Sequence, residues 1–588
     1  MRKKLSIGGR TMIKTLAKSI REYKKQTILT PIFMVGEVGM EIAIPFLLSI
    51  LIDQGITNHD LGKIILIGIC LVVASFMSLL FGRLGGRTAA TAASGFAKNL
   101  RQDMYNKVQE FSFLNIDKFS TASIVTRLTS DVSNVQMAFM MIIRGAIRSP
   151  ITIIFALIMT FVINPKMGLI YLVATPILFI SLMLIIKFVH PVFKRVFQTI
   201  DKLNRVVQEN VNAIRVVKSF VTEKREIKKF NEVSDSIYKD FSKAEKIMAF
   251  NNPVMQITIY TCLTLISWFG AQFVVGGELT TGELTSLFTY VMQLLMNLMM
   301  LSIIFVLIII SLESGQRITE ILEEVPDLNN PENPIMKVED GAIQFKNVSF
   351  SYINNKDKEV LKNINFKINS GETVGIIGGT GDGKSSLVNL IPRLYDATEG
   401  EVLVGGINVK DYDITVLRDQ VSMVLQKNTL FSGTIKENLR WGNKEATDEE
   451  IIKACKLAQA DEFIEKFPDK YDTYIEQGGN NVSGGQKQRL CIARALLKKP
   501  QILILDDSTS AVDTKTDSLI RKAFAEEIPN TTKLIIAQRI SSVQDSDKII
   551  VLNNGKIDAI GTHEELLKTN EIYKDVYYSQ VKGSEENA

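Results

Sequence analysis

Apolar runs long enough to cross a bilayer punctuate the first half of the chain. Six of them stand at 27–52, 62–84, 136–163, 167–190, 249–276 and 283–311, and each meets the ~20 residues a transmembrane helix needs. Between the second and third lie about 50 polar, helix-prone residues, and between the fourth and fifth nearly 60. Each stretch is long enough for two helical legs of ~25 residues, about 37 Å apiece. The legs are rich in Lys and Arg; the second alone carries Lys194, Arg195, Lys202, Arg205, Arg215, Lys218, Lys224 and Arg225. The opposite connections, DQGITNHDLGK, NPK and GGELTTGEL, are short. The excess of positive charge therefore predicts that both termini and both long loops face the cytoplasm. MIKTLAKSIREYKK (12–25) reads as an amphipathic helix on the inner surface. The opening MRKKLSIGGR is basic, but no long apolar run follows at once, which argues against a cleaved signal peptide.

The pattern then changes. EEVPDLNNPENP (323–334), crowded with proline, asparagine and acid, will not hold a helix and reads as a linker. Beyond it short β-rich runs alternate with helical ones: AIQFKNVSFSY, ETVGIIG, LILILD and KLIIAQ read as strands. That alternation predicts an α/β domain with a mainly parallel sheet. The expected organisation is a transmembrane domain at 1–320, a linker at 321–340, an α/β domain at 341–580 and a tail at 581–588.

Composition agrees with a membrane part joined to a soluble part: 46% hydrophobic and 22% charged residues over 588 positions. A net charge of +5 is too mild to imply nucleic acid. Cys70, Cys262, Cys455 and Cys491 are scattered without a CxxC pair, and all four are expected to be packing thiols in a reducing interior. His59, His190 and His563 are the only histidines, too few and too far apart to cluster around a metal.

GGTGDGKS (378–385) fits G-x-x-x-x-G-K-[ST], and it follows the strand ETVGIIG and precedes the helical SSLVNLIPRL. Gly378, Gly379, Thr380, Gly381, Asp382 and Gly383 would curl backbone amides around phosphates. Lys384 would reach the β and γ phosphates of ATP, and Ser385, with Ser386 behind it, would meet Mg2+. Asp382 is an odd residue in an anion cradle, and its side chain is expected to point to solvent. Asp506, ending the strand ILIL about 120 residues on, is the expected second magnesium ligand.

The sequence between these two motifs resembles an ATP-binding cassette (ABC) exporter half. VSGGQKQR (482–489) resembles the LSGGQ signature, in which Ser483, Gly484, Gly485 and Gln486 would hold a γ-phosphate. MVLQKNTLFSGTIKENL (423–439) resembles the Q-loop, which puts Gln426 near magnesium. Tyr352 of FSY matches the aromatic that stacks on adenine. EQGGNN (476–481) matches the stretch before the signature that touches the membrane part, and SAVD (510–513) the D-loop. In the membrane half, FSTASIVTRLTSDV (119–132) and NVNAIRVVKSFVTE (210–223) look like the family's coupling regions. The resemblance covers almost the whole chain. It implies six transmembrane helices with long cytoplasmic extensions, followed by a P-loop α/β domain.

Two departures matter. Asp507 stands where the family has its water-activating glutamate, and Gln538 where it has a switch histidine. A general base contributes ~10²–10⁴ in rate and must reach its water; aspartate withdraws the carboxylate by about one bond. Glutamine can hydrogen-bond a γ-phosphate but carries neither proton nor charge to it. In this family ATP lies between the phosphate loop of one cassette and the signature of another. A weak site beside an intact signature resembles the degenerate-site subunit of bacterial heterodimeric multidrug exporters. The resemblance implies a partner half-transporter that carries the glutamate and histidine.

Glu37 and Glu41 share one face of the first membrane helix, and intramembrane acids face an interior or a cavity. They suit cation recognition, or helix–helix hydrogen bonding, or a place at the leaflet edge. Met292, Met296 and Met299 form a stripe on the sixth helix that suits either a promiscuous cavity or ordinary packing. The reading is an ATP-driven exporter of small amphipathic drugs or lipids in a bacterial cytoplasmic membrane, in contact with membrane lipids and not with nucleic acid. A dedicated lipid or peptide exporter and an ATP-gated regulatory or channel subunit remain as alternatives. Six apolar segments exclude a soluble cassette ATPase for DNA work.

Overall fold

The computed structural model describes residues 11–353, 358–507 and 512–585. They form two compact units: one built from the chain up to Gln109 and from Ser120–Glu324, the other from Glu110–Phe119 and the chain from Val325 onward.

The first unit is all helical. Its long helices are α1 (Thr11–Ile56), α2 (Leu61–Gln109), α3 (Thr121–Ile163), α4 (Pro165–Asn212), α5 (Glu223–Val275) and α6 (Thr281–Glu323). Each contains an apolar window fit to cross a membrane, and each runs well past it. The starts are fixed locally. Asn164 caps α4 with Pro165 in its first turn, and Thr280 and Glu283 form a capping box on α6. The amphipathic segment at 12–25 is not one straight helix: it tightens to a 3₁₀ turn over Lys18–Tyr23 and kinks at Arg21, whose φ is 40°. Ser19 donates to Asp103 at 2.7 Å and Asn99 to the Ser19 carbonyl at 3.1 Å, which ties this elbow to the polar leg of α2.

Small residues on α2 let α1 come close. A Cβ at Gly85 would lie 2.2 Å from Met34, and one at Gly95 2.2 Å from the Tyr23 ring. The apolar core joins Val38 and Ile42 of α1 to Ala156, Tyr171, Ile266, Leu287 and Tyr290 of the other helices. Its two tyrosines satisfy their hydroxyls on backbone, Tyr171 on Leu287 O at 2.6 Å and Tyr290 on Ile42 O at 2.8 Å. In the polar legs Asp131 is buried and accepts from Arg317 Nε at 2.8 Å and Ser314 Oγ at 2.9 Å, locking α3 to α6.

The second unit is α/β. Its strands are β1 (Ile343–Phe350), β2 (Leu361–Ile368), β3 (Thr373–Gly378), β4 (Glu399–Val404), β5 (Ile407–Asn408), β6 (Val421–Val424), β7 (Gly433–Thr434), β8 (Tyr474–Ile475), β9 (Ile502–Asp506), β10 (Thr532–Ile536), β11 (Lys548–Asn553) and β12 (Lys556–Gly561). The central sheet has the order β12-β11-β3-β10-β9-β6. Five of its strands are parallel and β12 is antiparallel to β11. The mainly parallel sheet read from the sequence is therefore present. Beside it stands an antiparallel sheet, β2-β1-β4-β5, that the sequence pattern did not disclose.

Residues 110–119 pack with this second unit, although they leave α2 directly. Tyr395 donates to Asp117 at 3.0 Å, the Phe113 and Tyr395 rings stand 6.0 Å apart, and Asn115 reaches the Val325 carbonyl at 3.4 Å. Of FSTASIVTRLTSDV, only Phe119 falls in the second unit; the stretch from Ser120 onward belongs to the first. The expectation for the cysteines also needs one correction: Cys262, Cys455 and Cys491 are buried, whereas Cys70 lies on the outer face of α2.

Candidate functional site

Strand order assembles the site. β3, β10, β9 and β6 are parallel neighbours, so their carboxyl ends lie side by side. Ligands bind at that edge of such sheets. The glycine loop leaves β3, Gln538 follows β10, Asp506 and Asp507 end β9, and Gln426 follows β6. Four segments far apart in sequence meet there.

Gly381 and Gly383 have φ of 94° and 88°, conformations that a side chain resists. The helix α7 (Lys384–Asn389) begins at the lysine. The Lys384 ammonium lies across the loop and donates to Gly378 O at 2.9 Å and Gly379 O at 2.7 Å. Burial holds its pKa below the ordinary lysine value, opposed by Asp382, Asp506 and Asp507. Asp382 does not point to solvent. Its carboxylate folds back to accept from the Gly379 N–H at 2.5 Å and the Asn554 N–H at 3.0 Å. One amide belongs to the glycine turn and the other to the turn between β11 and β12, and the short acid satisfies both.

Ser385 donates to Asp506 at 3.1 Å. Asp506 is 5% exposed, and burial raises its pKa against the Ser385 hydrogen bond. A hydroxyl, a buried carboxylate and the Gln426 amide make an oxygen-donor set that fits Mg2+. That ion is usually held by only one or two carboxylates and fills the rest of its sphere with other oxygens, water and phosphate.

Asp507 sits in the left-handed region with φ 49°. Its N–H donates to Ile536 O at 3.0 Å, adding one rung to the β9–β10 ladder. Its Oδ2 accepts from Gln538 Nε2 at 2.9 Å, and the Gln426 amide also hydrogen-bonds the carboxylate. Burial raises the Asp507 pKa; the two amides oppose that rise. Tyr352 stands edge-on to Phe350 and Tyr395, with its hydroxyl 2.8 Å from Ser386 Oγ.

Ser483 caps the helix α8 (Gly484–Leu497) in a box with Gln486, at 3.3 Å and 2.9 Å. Gly484 is exposed beside it, so the helix start is open to a ligand. Lys487 pins the preceding turn by donating to Gly478 O at 2.8 Å. Residues 508–511, which include the first two positions of SAVD, lie outside the described residues; Asp513 caps the next helix, α9 (Thr514–Glu527).

In the first unit Glu37 and Glu41 are not alone. Arg148 of α3 reaches Glu41 at 2.7 and 2.9 Å and Glu37 at 3.9 Å. Gln293 of α6 touches the Glu41 carbonyl at 3.4 Å. Glu37 Oε2, Arg148 Nε and Gln293 Oε1 are buried atoms without a hydrogen-bond partner. Sequence reading missed Arg148, although two arginines four residues apart inside an apolar run, Arg144 and Arg148, are themselves a signal. Met292, Met296 and Met299 are exposed at 41%, 66% and 44%, on a face of α6 that nothing else in this unit covers.

Comparison with known proteins agrees with this geometry. Residues 27–298 match the model of the ABC transporter transmembrane region and residues 361–510 that of the ABC transporter domain. The chain is 36% identical over 568 residues to the Bacillus subtilis (strain 168) "Uncharacterized ABC transporter ATP-binding protein YfiB", covering 96% of this chain and 98% of that one. The chain belongs to the ABC transporter family. It is a multi-pass membrane ATPase whose hydrolysis is coupled to transport. A Staphylococcus aureus (strain NCTC 8325 / PS 47) protein, provisionally named a multidrug export ATP-binding/permease protein, is 32% identical over 97% of this chain and 100% of its own. The transporter's fold matches that of a bacterial Atm1-family ABC exporter solved with ATP bound, at TM-score 0.83 and 24% identity, over 95% of this chain and 99% of that one. ABC exporters commonly work as dimers.

Proposed function

We propose that this chain is the weak-site subunit of a heterodimeric exporter in the cytoplasmic membrane, moving amphipathic drugs or lipids outward. The observation that carries the proposal is the Asp507–Gln538 contact at 2.9 Å. The acid that would activate water is one methylene short and is tied to an amide that cannot relay a proton. In this reading Tyr352 stacks on adenine and the loop from Gly378 to Gly383 holds the phosphates with Lys384. Ser385, Asp506 and Gln426 would hold Mg2+, which would supply positive charge beside the phosphates. Gln426 and Asp507 position water poorly, so ATP is bound longer than it is cleaved. The exposed Ser483–Gln486 helix start completes a productive site on the partner. The name of the Staphylococcus aureus relative supports drug export.

The membrane cluster bears on the substrate. Arg148 already neutralises Glu41, so the cluster is less suited to a bare cation than the two acids alone. Both signs of charge suit a zwitterionic headgroup or peptide, which keeps a dedicated lipid or peptide exporter as the second reading.

The test is ATPase rate in the reconstituted heterodimer at saturating ATP. Lys384→Ala here should leave measurable turnover, the same change in the partner should abolish it, and Ser483→Ala here should resemble the partner's loss. A Lys384 variant as inactive as the partner's, with a mild Ser483 effect, would reverse the assignment of the two sites.

A further inference from the structure

The C-terminal helix, Glu571–Glu585, reaches the switch segment. It is anchored through Tyr573, which is fully buried, with its hydroxyl 2.7 Å from His563 Nδ1. Asn570 fixes the helix start, donating to Asp558 at 2.6 Å and accepting from the Tyr573 N–H at 2.8 Å. Ile572, Val576 and Tyr577 pack on the domain core. Residues 573, 576, 577 and 580 fall on one helical face, so the anchoring side also presents Gln580.

The Gln580 amide takes both free groups of the switch backbone at once. Its Nε2 donates to Gln538 O at 2.8 Å and its Oε1 accepts from the Ile540 N–H at 2.9 Å. The pair spans Arg539 as a neighbouring strand would. The Gln538 side chain in turn meets Asp507. An unbroken line of hydrogen bonds therefore runs from the C-terminal helix to the acid beside the phosphate loop.

We propose that Gln580 is a positioning residue for the ATP site: it clamps the backbone on both sides of Arg539 and so sets where the Gln538 amide meets Asp507. Side-chain amides form such two-point contacts only at correct length and register, which makes the clamp sensitive to a single atom.

The experiment uses the full chain in detergent. Hydrogen exchange over the 537–543 segment is followed with and without MgATP, and ATP turnover is measured, in Gln580→Ala, Gln580→Glu, Gln538→Ala and the Gln580→Ala/Gln538→Ala double variant. Gln580→Ala should speed exchange of that segment about tenfold, leave the β10 core unchanged, and lower kcat about three- to tenfold with KM within twofold. Gln580→Glu keeps the acceptor for the Ile540 N–H but loses the donor, so it should fall between. In the Gln538→Ala background, loss of Gln580 should add nothing to the rate defect. Unchanged exchange in Gln580→Ala, or rate effects of the two positions that multiply, would overturn the proposal. If Gln580→Ala fails to fold, Gln580→Glu decides it through the same two measurements.

Discussion

Restoring the acid and the switch tests the central reading. In Asp507→Glu with Gln538→His, the carboxylate advances by one methylene, about 1.5 Å, and the switch regains a proton-carrying group. Misplacement of ~1 Å costs about 10²-fold in rate, so the purified chain should gain about 10²-fold in kcat, equivalent to about 2.7 kcal/mol in the barrier. The opposing term comes from the backbone. Position 507 has φ 49°, which aspartate tolerates better than glutamate. A longer side chain there costs about 1 kcal/mol, but that cost falls on folding and should read as a lower melting temperature. The assay is steady-state phosphate release at saturating MgATP, alongside nucleotide affinity and thermal melting. Less than a threefold gain with ATP binding intact would refute the view that a short acid and an uncharged switch limit this site.

Asp382→Asn should tighten ATP binding about three- to tenfold, because it removes a negative charge from the cradle while keeping an acceptor for the Gly379 N–H; calorimetric titration at low and high salt should show the gain shrinking as salt rises. Glu37→Gln/Glu41→Gln should weaken export of cationic dyes more than neutral ones if the acids line a cavity, and Arg148→Gln should do the opposite; equal effects on all dyes would assign the cluster to helix packing. Asp131→Ala should lower stability by about 2 kcal/mol, less than the ~3–5 of a fully buried pair because Arg317 remains 45% exposed, and thermal melting in detergent checks it.

How much of this was legible depends on where the information lies. The phosphate loop reads directly, since its glycines, lysine and serine are consecutive and their chemistry is local. The six membrane helices read from hydropathy for the same reason. Strand order did not read: β3 pairs with β10 and β11, more than 150 residues away, and nothing in GGTGDGKS states its neighbours. The antiparallel sheet escaped because its strands are short and their pairings, β1 with β2 and β4, are set by register rather than by any local motif. Arg148 escaped because its partner Glu41 lies 107 residues earlier. Asp382 was misread because its partners, two backbone amides, have no sequence signature.

The strand order also explains why the two departures occur together. Ile536 and Asp506 are register partners in the β9–β10 ladder, and the Asp507 N–H extends that ladder onto Ile536 O. One step beyond the sheet that register sets 507 opposite 537, and 538 follows directly, close enough for its side chain to reach back to Asp507. Whatever side chain occupies one is the immediate environment of the other. With aspartate at 507, the glutamine amide reaches across and satisfies the carboxylate at 2.9 Å; a histidine there would instead present a ring to an acid that had drawn back. Groups in such contact couple by ~0.5–3 kcal/mol. Each single reversion should consequently recover less than half of the logarithmic gain of the pair, because each leaves the other residue in a geometry built for its absent neighbour.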